Sequence, residues 1–199
     1  MKKQTLTLLM AAGMATCAFG QSLILDNLSN GGALGAASGG RVFVDGVLFD
    51  GNTFNLGVVV QGGPSAGSLS PMGTFTAATD PKTYTGADVG KFQLGAPFAA
   101  VAVPGVAAGG TATIRLDVWY DGAGGLFANY AAAVANAAGR TASVTFQNGV
   151  SNPGGAPPVP APNLTGMPSI NLVGTVPEPS TIALGAIGLA SMLIFRRRN

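Results

Sequence analysis

A strict alternation of apolar and polar residues between Thr111 and Tyr120 is the feature that most constrains the fold of this chain. A period of two is typical of a β-strand that packs one face on a core. The run ends at Asp121-Gly122, a dipeptide that favours turns. The sequence therefore predicts a strand over residues 111–120 with two different faces. The first face carries Ala112, Ile114, Leu116, Val118 and Tyr120, and the second carries Thr113, Arg115, Asp117 and Trp119.

Further short strands are predicted along most of the chain. Each is a short, mostly apolar run bounded by Gly, Pro, Asn or Asp, and the chain holds 31 Gly and 13 Pro. Many short strands with frequent turns indicate a mainly β fold, here an antiparallel β-sandwich of jelly-roll or Ig-like type. Asp45-Gly46 either closes a hairpin or marks a bulge in one long strand. The candidate strands are 22–28, 41–44, 47–49, 54–61, 73–77, 90–94, 98–103, 142–147 and 169–173.

One Ala-rich segment, 126–138, departs from the β pattern. Its larger apolar residues recur at helical spacing, which predicts one short amphipathic α-helix that packs on the sheet. Gly139 then suits the position just after the helix. The predicted stripe consists of Phe127, Tyr130, Ala131, Val134 and Ala138.

The first 20 residues have the pattern of a secretory signal peptide with a helical apolar segment. Lys2 and Lys3 precede an apolar stretch, and Ala18 and Gly20 place small residues before Gln21. We expect the Sec machinery to export the chain and signal peptidase to cut between Gly20 and Gln21. Lipidation at Cys17 is the alternative, although the residues before Cys17 depart from a lipobox. Cys17 is the only cysteine, so cleavage at Gly20 leaves a body that must fold without disulfides.

An uncharged stretch, 181–195, predicts a transmembrane helix near the C-terminus. Its 15 residues are about 22 Å long as a helix, against about 30 Å of hydrocarbon. We therefore expect a temporary anchor. Three arginines follow it and favour a cytoplasmic location for that end, which leaves the body outside. The apolar and basic residues of this anchor are Ile182, Leu184, Ile187, Leu189, Leu193, Ile194, Phe195, Arg196, Arg197 and Arg198.

The residues just before the anchor complete a three-part tail. Pro177, Glu178 and Pro179 precede the apolar stretch and the arginines. This order resembles the PEP-CTERM sorting signal, which exosortase-type transpeptidases recognise in bacteria that make exopolysaccharide. The resemblance implies a sorting signal over 176–199 and an exosortase-type membrane enzyme as a partner.

The body, expected to form one domain over 21–175, carries a second resemblance. It is similar to uncharacterised verrucomicrobial PEP-CTERM proteins, a group that supplies no activity to carry over. A Pro-rich segment over 152–166 is expected to cross the domain surface before a last strand returns to the sheet, and a semi-rigid stalk toward the envelope is the alternative. The similar segments are 58–67, 103–119, 130–134, 139–146 and 157–166.

Charge and composition exclude several classes of function. Without the two ends, the body holds five basic and seven acidic residues, so it lacks the clustered positive charge that nucleic-acid binding requires. The chain has no histidine, and its only cysteine lies in the predicted signal peptide, which excludes zinc, copper, haem and iron–sulfur sites. A calcium site at Asp45, Asp50 and Asn52 lacks the spacing of a calcium loop. No cofactor is expected.

Two patterns raise the question of catalysis. The segment 63–67 matches G-x-S-x-G around Ser65, but a chain without histidine offers no base for a serine nucleophile. Two pairs of aspartates, Asp45 with Asp50 and Asp117 with Asp121, are a possible acid and base for glycoside hydrolysis. Most of these residues belong to turn dipeptides, so we expect no enzyme activity.

Two functions of different classes stay open from the sequence. The first is a noncatalytic cell-surface or extracellular-matrix protein, exported and transiently anchored in the inner membrane. The second is a carbohydrate-binding module that engages exopolysaccharide through aromatic rings. Trp119 is the main candidate for a sugar contact, with Tyr84 and Tyr130 beside it. Packing inside the domain is the alternative role for Trp119, because large aromatic side chains are usually buried.

Overall fold

The computed structural model describes residues 21–51, 55–76, 82–95, 100–122, 125–152 and 160–174. The fold is mainly β, as the sequence predicts. Within these residues, one α-helix, α1 (Tyr130–Val134), and a 3-10 turn at Gly86–Asp88 accompany the strands. The strands are β1 (Ser22–Ile24), β2 (Val42–Val44), β3 (Val47–Leu48), β4 (Asn55–Gly63), β5 (Ser70–Phe75), β6 (Lys82–Thr83), β7 (Phe92–Gln93), β8 (Ala100–Ala102), β9 (Thr111–Gly122), β10 (Arg140–Gly149) and β11 (Ile170–Gly174).

Seven of these strands form one sheet in the order β3-β2-β11-β10-β9-β4-β5. Neighbouring strands are antiparallel except β11 and β2, which are parallel. The predicted last strand thus returns to the sheet and lies between β10 and β2. The finer prediction of a jelly-roll or Ig-like sandwich stays a prediction.

β9 confirms the strand that the alternation predicts, and it has a long strand on each side. Its apolar face is buried at Ala112, Ile114, Leu116 and Val118. The opposite face is also covered, since Thr113, Asp117 and Trp119 are buried as well. A strand that reads as half-buried is therefore buried on both faces, because further elements cover the second side.

The first face of the sheet packs against two small strand pairs. β1 pairs with β8, and β6 pairs with β7. Their apolar side chains join those of the large sheet in one cluster, which forms the main core. Burial of apolar surface is the dominant favourable term in folding. Core residues outside the large sheet include Leu23, Leu25, Phe49, Phe92, Leu94, Val103, Leu164 and Met167.

The Asp45-Gly46 dipeptide closes a hairpin between β2 and β3, so the bulge alternative is wrong. Phe43 pairs with Leu48 and Val44 with Val47, which leaves a two-residue loop. Both loop residues have positive φ, 48° at Asp45 and 83° at Gly46. That backbone is the one a tight primed turn requires, and Asp-Gly is among its preferred sequences.

The helix is shorter than the predicted 126–138, and the predicted stripe is confirmed at Phe127 and Tyr130 but wrong at its three later residues. Asn129 caps α1, since its side chain accepts a hydrogen bond from the Ala132 N–H at 2.9 Å. Within the helix, Ala133 is buried and Tyr130 packs beside it, while Ala131, Val134 and Ala138 are exposed. Polar Asn129 and Asn136 form local backbone hydrogen bonds at both ends, and such bonds compete with helix extension.

Several strand boundaries also differ from the prediction. β1 and β7 are shorter than predicted, β10 is longer, and β6 has no counterpart among the predicted strands. β6 lies in a Thr- and Pro-containing stretch without an apolar run, which explains why the pattern misses it. Much of the Pro-rich segment 152–166 lies outside the described residues, but Leu164, near its end, is buried in the core.

Candidate functional site

One end of the large sheet brings together the groups closest to the C-terminal tail. Gly174 is the last residue of β11 and pairs with Arg140, which in turn pairs with Tyr120. The β2–β3 turn lies beside them, because the Asp45 N–H donates to the Leu172 carbonyl at 3.0 Å. We call this region, made of Tyr120, Arg140, Gly174 and the β2–β3 turn, the Gly174 end.

Arg140 crosses the end of β11 and holds the β2–β3 turn. Its Nε donates to Asp45 Oδ2 at 2.8 Å, and its Nη1 donates to the Ala138 carbonyl at 3.3 Å. A Cβ at Gly174 would lie 2.6 Å from Arg140 Nη1, so a glycine there leaves room for the guanidinium. Because Asp45 and Arg140 are both partly exposed, the pair contributes at most about 1 kcal/mol to stability. The pair therefore mainly fixes the position of the β2–β3 turn.

An apolar pocket of about 240 Å³ opens beside this end. Tyr120 and Asp50 are the two polar residues that line it. Burial raises the pKa of the Tyr120 hydroxyl; nearby Arg140 acts against that shift and Asp45 adds to it. Tyr120 is therefore un-ionised at neutral pH. The remaining lining residues are Val44, Val47, Leu48 and Phe49.

Trp119, the main candidate for a sugar contact, is fully buried. Its indole N–H donates to the Phe127 carbonyl at 3.1 Å, and Ala133 of α1 joins the same cluster. On the neighbouring strand Gly57 is directly opposite Trp119, and a Cβ there would lie 2.0 Å from two ring carbons. The structure thus shows the packing role, and in this conformation the ring has no exposed face for a sugar. Tyr130 packs against this cluster and is partly buried.

The G-x-S-x-G segment lies in the turn between β4 and β5 and not on a strand-to-helix elbow. Ser65 is exposed there and donates to the hydroxyl of Ser68 at 3.3 Å. A nucleophilic serine in this motif sits on a sharp turn between a strand and a helix, whereas this turn joins two strands.

Asp45 and Asp117, one member of each predicted carboxylate pair, lie on different parts of the sheet. Asp117 accepts a hydrogen bond from Arg115 Nε at 3.1 Å on the helix side of the sheet, whereas Asp45 is held by Arg140. The Asp121 side chain and Asn52 lie outside the described residues. Within the described part of the chain, no group of three His, Cys, Asp or Glu residues is arranged to hold a metal ion.

Asp26 and Gln93 form a buried polar pair that no pattern in the sequence predicts. They are directly opposite each other on neighbouring segments, with 0% and 5% exposure. Asp26 Oδ1 accepts from the Leu28 N–H, and Gln93 Oε1 accepts from the Tyr84 hydroxyl at 3.0 Å. Among the residues that the structure describes, neither Asp26 Oδ2 nor Gln93 Nε2 has a hydrogen-bond partner. Burial raises the pKa of Asp26, and the Leu28 hydrogen bond opposes this shift.

The residues predicted for export and sorting lie mostly outside the described residues. These are Ala18 and Gly20 at the signal-peptidase site, Pro177 to Pro179 in the sorting motif, and the anchor from Ile182 to Arg198. Gln21, the expected first residue after cleavage, is described and exchanges hydrogen bonds with Val103. Of the helices in the described segments, none is long and apolar enough to cross a bilayer.

Comparison with known families matches residues 175–198 to the PEP-CTERM protein-sorting motif. The motif indicates sorting by an exosortase, and with it export and a processing step at a C-terminal membrane anchor. No curated protein and no solved structure matches the chain. The similarity to verrucomicrobial proteins therefore stays a prediction.

Proposed function

We propose that this chain is a noncatalytic protein of the cell surface or extracellular matrix, delivered there through its C-terminal sorting signal. The match of residues 175–198 to the PEP-CTERM motif carries the proposal. The motif begins one residue after Gly174, where the last strand of the body ends. The body thus passes directly into the sorting signal.

The proposed route uses both ends of the chain. Sec machinery exports the chain, signal peptidase cuts before Gln21, and the uncharged stretch 181–195 anchors the intermediate in the inner membrane. The arginines at 196–198 hold that end in the cytoplasm. An exosortase-type transpeptidase then acts near Glu178, and the body passes to the surface or to the exopolysaccharide layer.

Three features support a noncatalytic body. The chain has no histidine, and Ser65 lies in an exposed turn. Asp45 and Asp117 are each tied to an arginine on different parts of the sheet. Hydrolysis of a glycan by the purified body, abolished by an Asp50→Asn change, would overturn this part of the proposal.

The alternative of a carbohydrate-binding module named Trp119 as the main sugar contact, with Tyr84 and Tyr130 beside it. Trp119 is covered by α1 and Phe127, which removes the main candidate. Tyr84 is partly buried and donates to Gln93, and Tyr130 is partly buried beside Trp119, so we propose the noncatalytic surface protein.

The sorting proposal is tested by changing the motif in a host that contains the processing enzyme. Replacing Glu178 by Gln, or Pro179 by Ala, is expected to leave an uncleaved precursor in the membrane fraction, because the enzyme loses its recognition sequence. Immunoblots of membrane and secreted fractions measure the outcome.

Asp88→Asn is the matched control. It also removes one negative charge, but Asp88 lies in the exposed 3-10 turn, where it forms an ion pair with Lys91. This variant is expected to be processed like the parent. Normal processing of both motif variants would contradict the proposal.

A further inference from the structure

Large apolar side chains are exposed at the Gly174 end. The chain has five large apolar side chains that are strongly exposed within its described part. Val47 lies at the β2–β3 turn and is 70% exposed. Val173 and Leu126 are also exposed, and both lie on the helix side close to this end. Of the other two, Val134 lies on α1 and Leu34 lies in the loop between β1 and β2.

The register places Val173 and Val47 at the same end of the sheet but on opposite faces, because Val44 pairs with both Leu172 and Val47 on the core face. Val173 pairs with Thr141, and Thr141 pairs with Trp119, so Val173 is on the row just inside the end. Leu126 precedes Phe127, whose carbonyl binds the Trp119 indole. Val47 follows the turn that Arg140 holds against β11. The apolar pocket opens beside Val47, which extends the apolar surface at this end.

The charged groups at this end give no net positive charge. Arg140 and Asp45 form an ion pair at 2.8 Å. Asp50 lines the pocket, and Asp121 follows Tyr120 in sequence. Attraction to anionic headgroups is therefore weak, and contact with an interface would depend on apolar side chains.

The length of the tail limits how far this end can move from a membrane. Six residues separate Gly174 from Thr181, the first residue of the uncharged stretch. Fully extended, they allow a separation of at most about 25 Å. A body of this size is roughly 40 Å across. The Gly174 end thus stays near the bilayer, and a weak contact is sufficient because the tether supplies a high effective concentration.

We propose that the Gly174 end rests on the outer surface of the lipid bilayer while the chain is anchored, with Val47, Val173 and Leu126 in the interfacial region. This inference rests on the proposed function, since it requires the C-terminal stretch to be in the membrane. The contact fixes which side of the body faces the lipid and holds the sorting motif close to the membrane. Release of the tail ends the contact.

Fluorescence quenching by lipids tests this placement. The protein is residues 21–199, which contains every described residue and no cysteine, since Cys17 is the only one. Single cysteines are placed at three positions: Val47→Cys, Gly67→Cys and Ser191→Cys. Each is labelled with an environment-sensitive dye and reconstituted in phosphatidylcholine vesicles that carry headgroup spin labels or brominated acyl chains.

Gly67→Cys is the matched control. Gly67 is exposed in the β4–β5 turn, at the opposite end of the sheet, and an added Cβ there meets no atom within 4 Å. We expect brominated chains to quench the dye at position 191. The headgroup label is expected to quench the dye at position 47 at least twofold more than the dye at position 67, and added salt should not change this ratio.

The possible outcomes separate this inference from the proposed function. If the dye at position 191 is not quenched, the membrane anchor is wrong and the inference fails with it. If that dye is quenched while positions 47 and 67 respond equally, the anchor stands and the lipid contact is wrong. A response at position 47 that appears only when the sorting enzyme is co-reconstituted assigns the surface to that enzyme and overturns the lipid contact.

Discussion

The packing of Trp119 over Gly57 predicts that the single methyl group added by Gly57→Ala strongly lowers the stability of the fold. In Gly57→Ala the new Cβ would lie 2.0 Å from ring carbons Cε2 and Cζ2, whereas carbon atoms pack best at about 3.5–4.0 Å. The ring must therefore move by roughly 1.5 Å, although it is fully buried. Overpacking of this kind costs about 1–3 kcal/mol, and strain or loss of the bond to the Phe127 carbonyl adds about 1 kcal/mol.

We expect the free energy of unfolding to fall by about 2–4 kcal/mol, measured by urea denaturation of residues 21–175 with circular dichroism. Trp119 is the only tryptophan, so its fluorescence reports the same site directly. Gly67→Ala is the control and should change stability by less than about 0.5 kcal/mol. In a Trp119→Leu background, Gly57→Ala should cost less by at least about 1 kcal/mol. A Gly57→Ala variant as stable as the parent, or additive effects in the double variant, would refute the packing argument.

Two further predictions follow from the buried carboxyl and the helix cap. Burial raises the pKa of Asp26, so the folded state holds its proton more tightly, and stability should fall as pH rises from below 3.8 through the folded pKa. Asp26→Asn should weaken the dependence of the free energy of unfolding on pH, measured by urea denaturation at a series of pH values. An unchanged pH dependence would contradict this. Asn129→Ala removes the cap of α1 and should cost about 1 kcal/mol by thermal denaturation, whereas Asn136→Ala, which changes an asparagine beyond the helix, should cost less. Equal losses would argue against the cap.

Local sequence patterns predicted the elements with a strong periodic signal. The alternation over 111–120 identified β9, and Asp45-Gly46 identified a turn whose two positive φ angles few other dipeptides tolerate. The last strand over 169–173 also appears, as β11. These patterns depend only on residues that are close in sequence, so a single sequence is sufficient to reveal them.

Contacts between distant segments could not be predicted in the same way. The polar side of β9 reads as exposed, yet Phe127 and α1 cover Trp119 there. Gly57 is one of 31 glycines, and nothing local shows that an indole ring lies across it. The opposition of Asp26 and Gln93 likewise arises from pairing across 67 positions, which no periodicity reveals.

Mass spectrometry of the mature protein from its native host tests the central claim most directly. We predict an N-terminus at Gln21 and a C-terminus within or just before the segment 176–180, with the stretch 181–199 absent from the surface fraction. A chain recovered intact from the cytosol, with both ends present, would contradict the account.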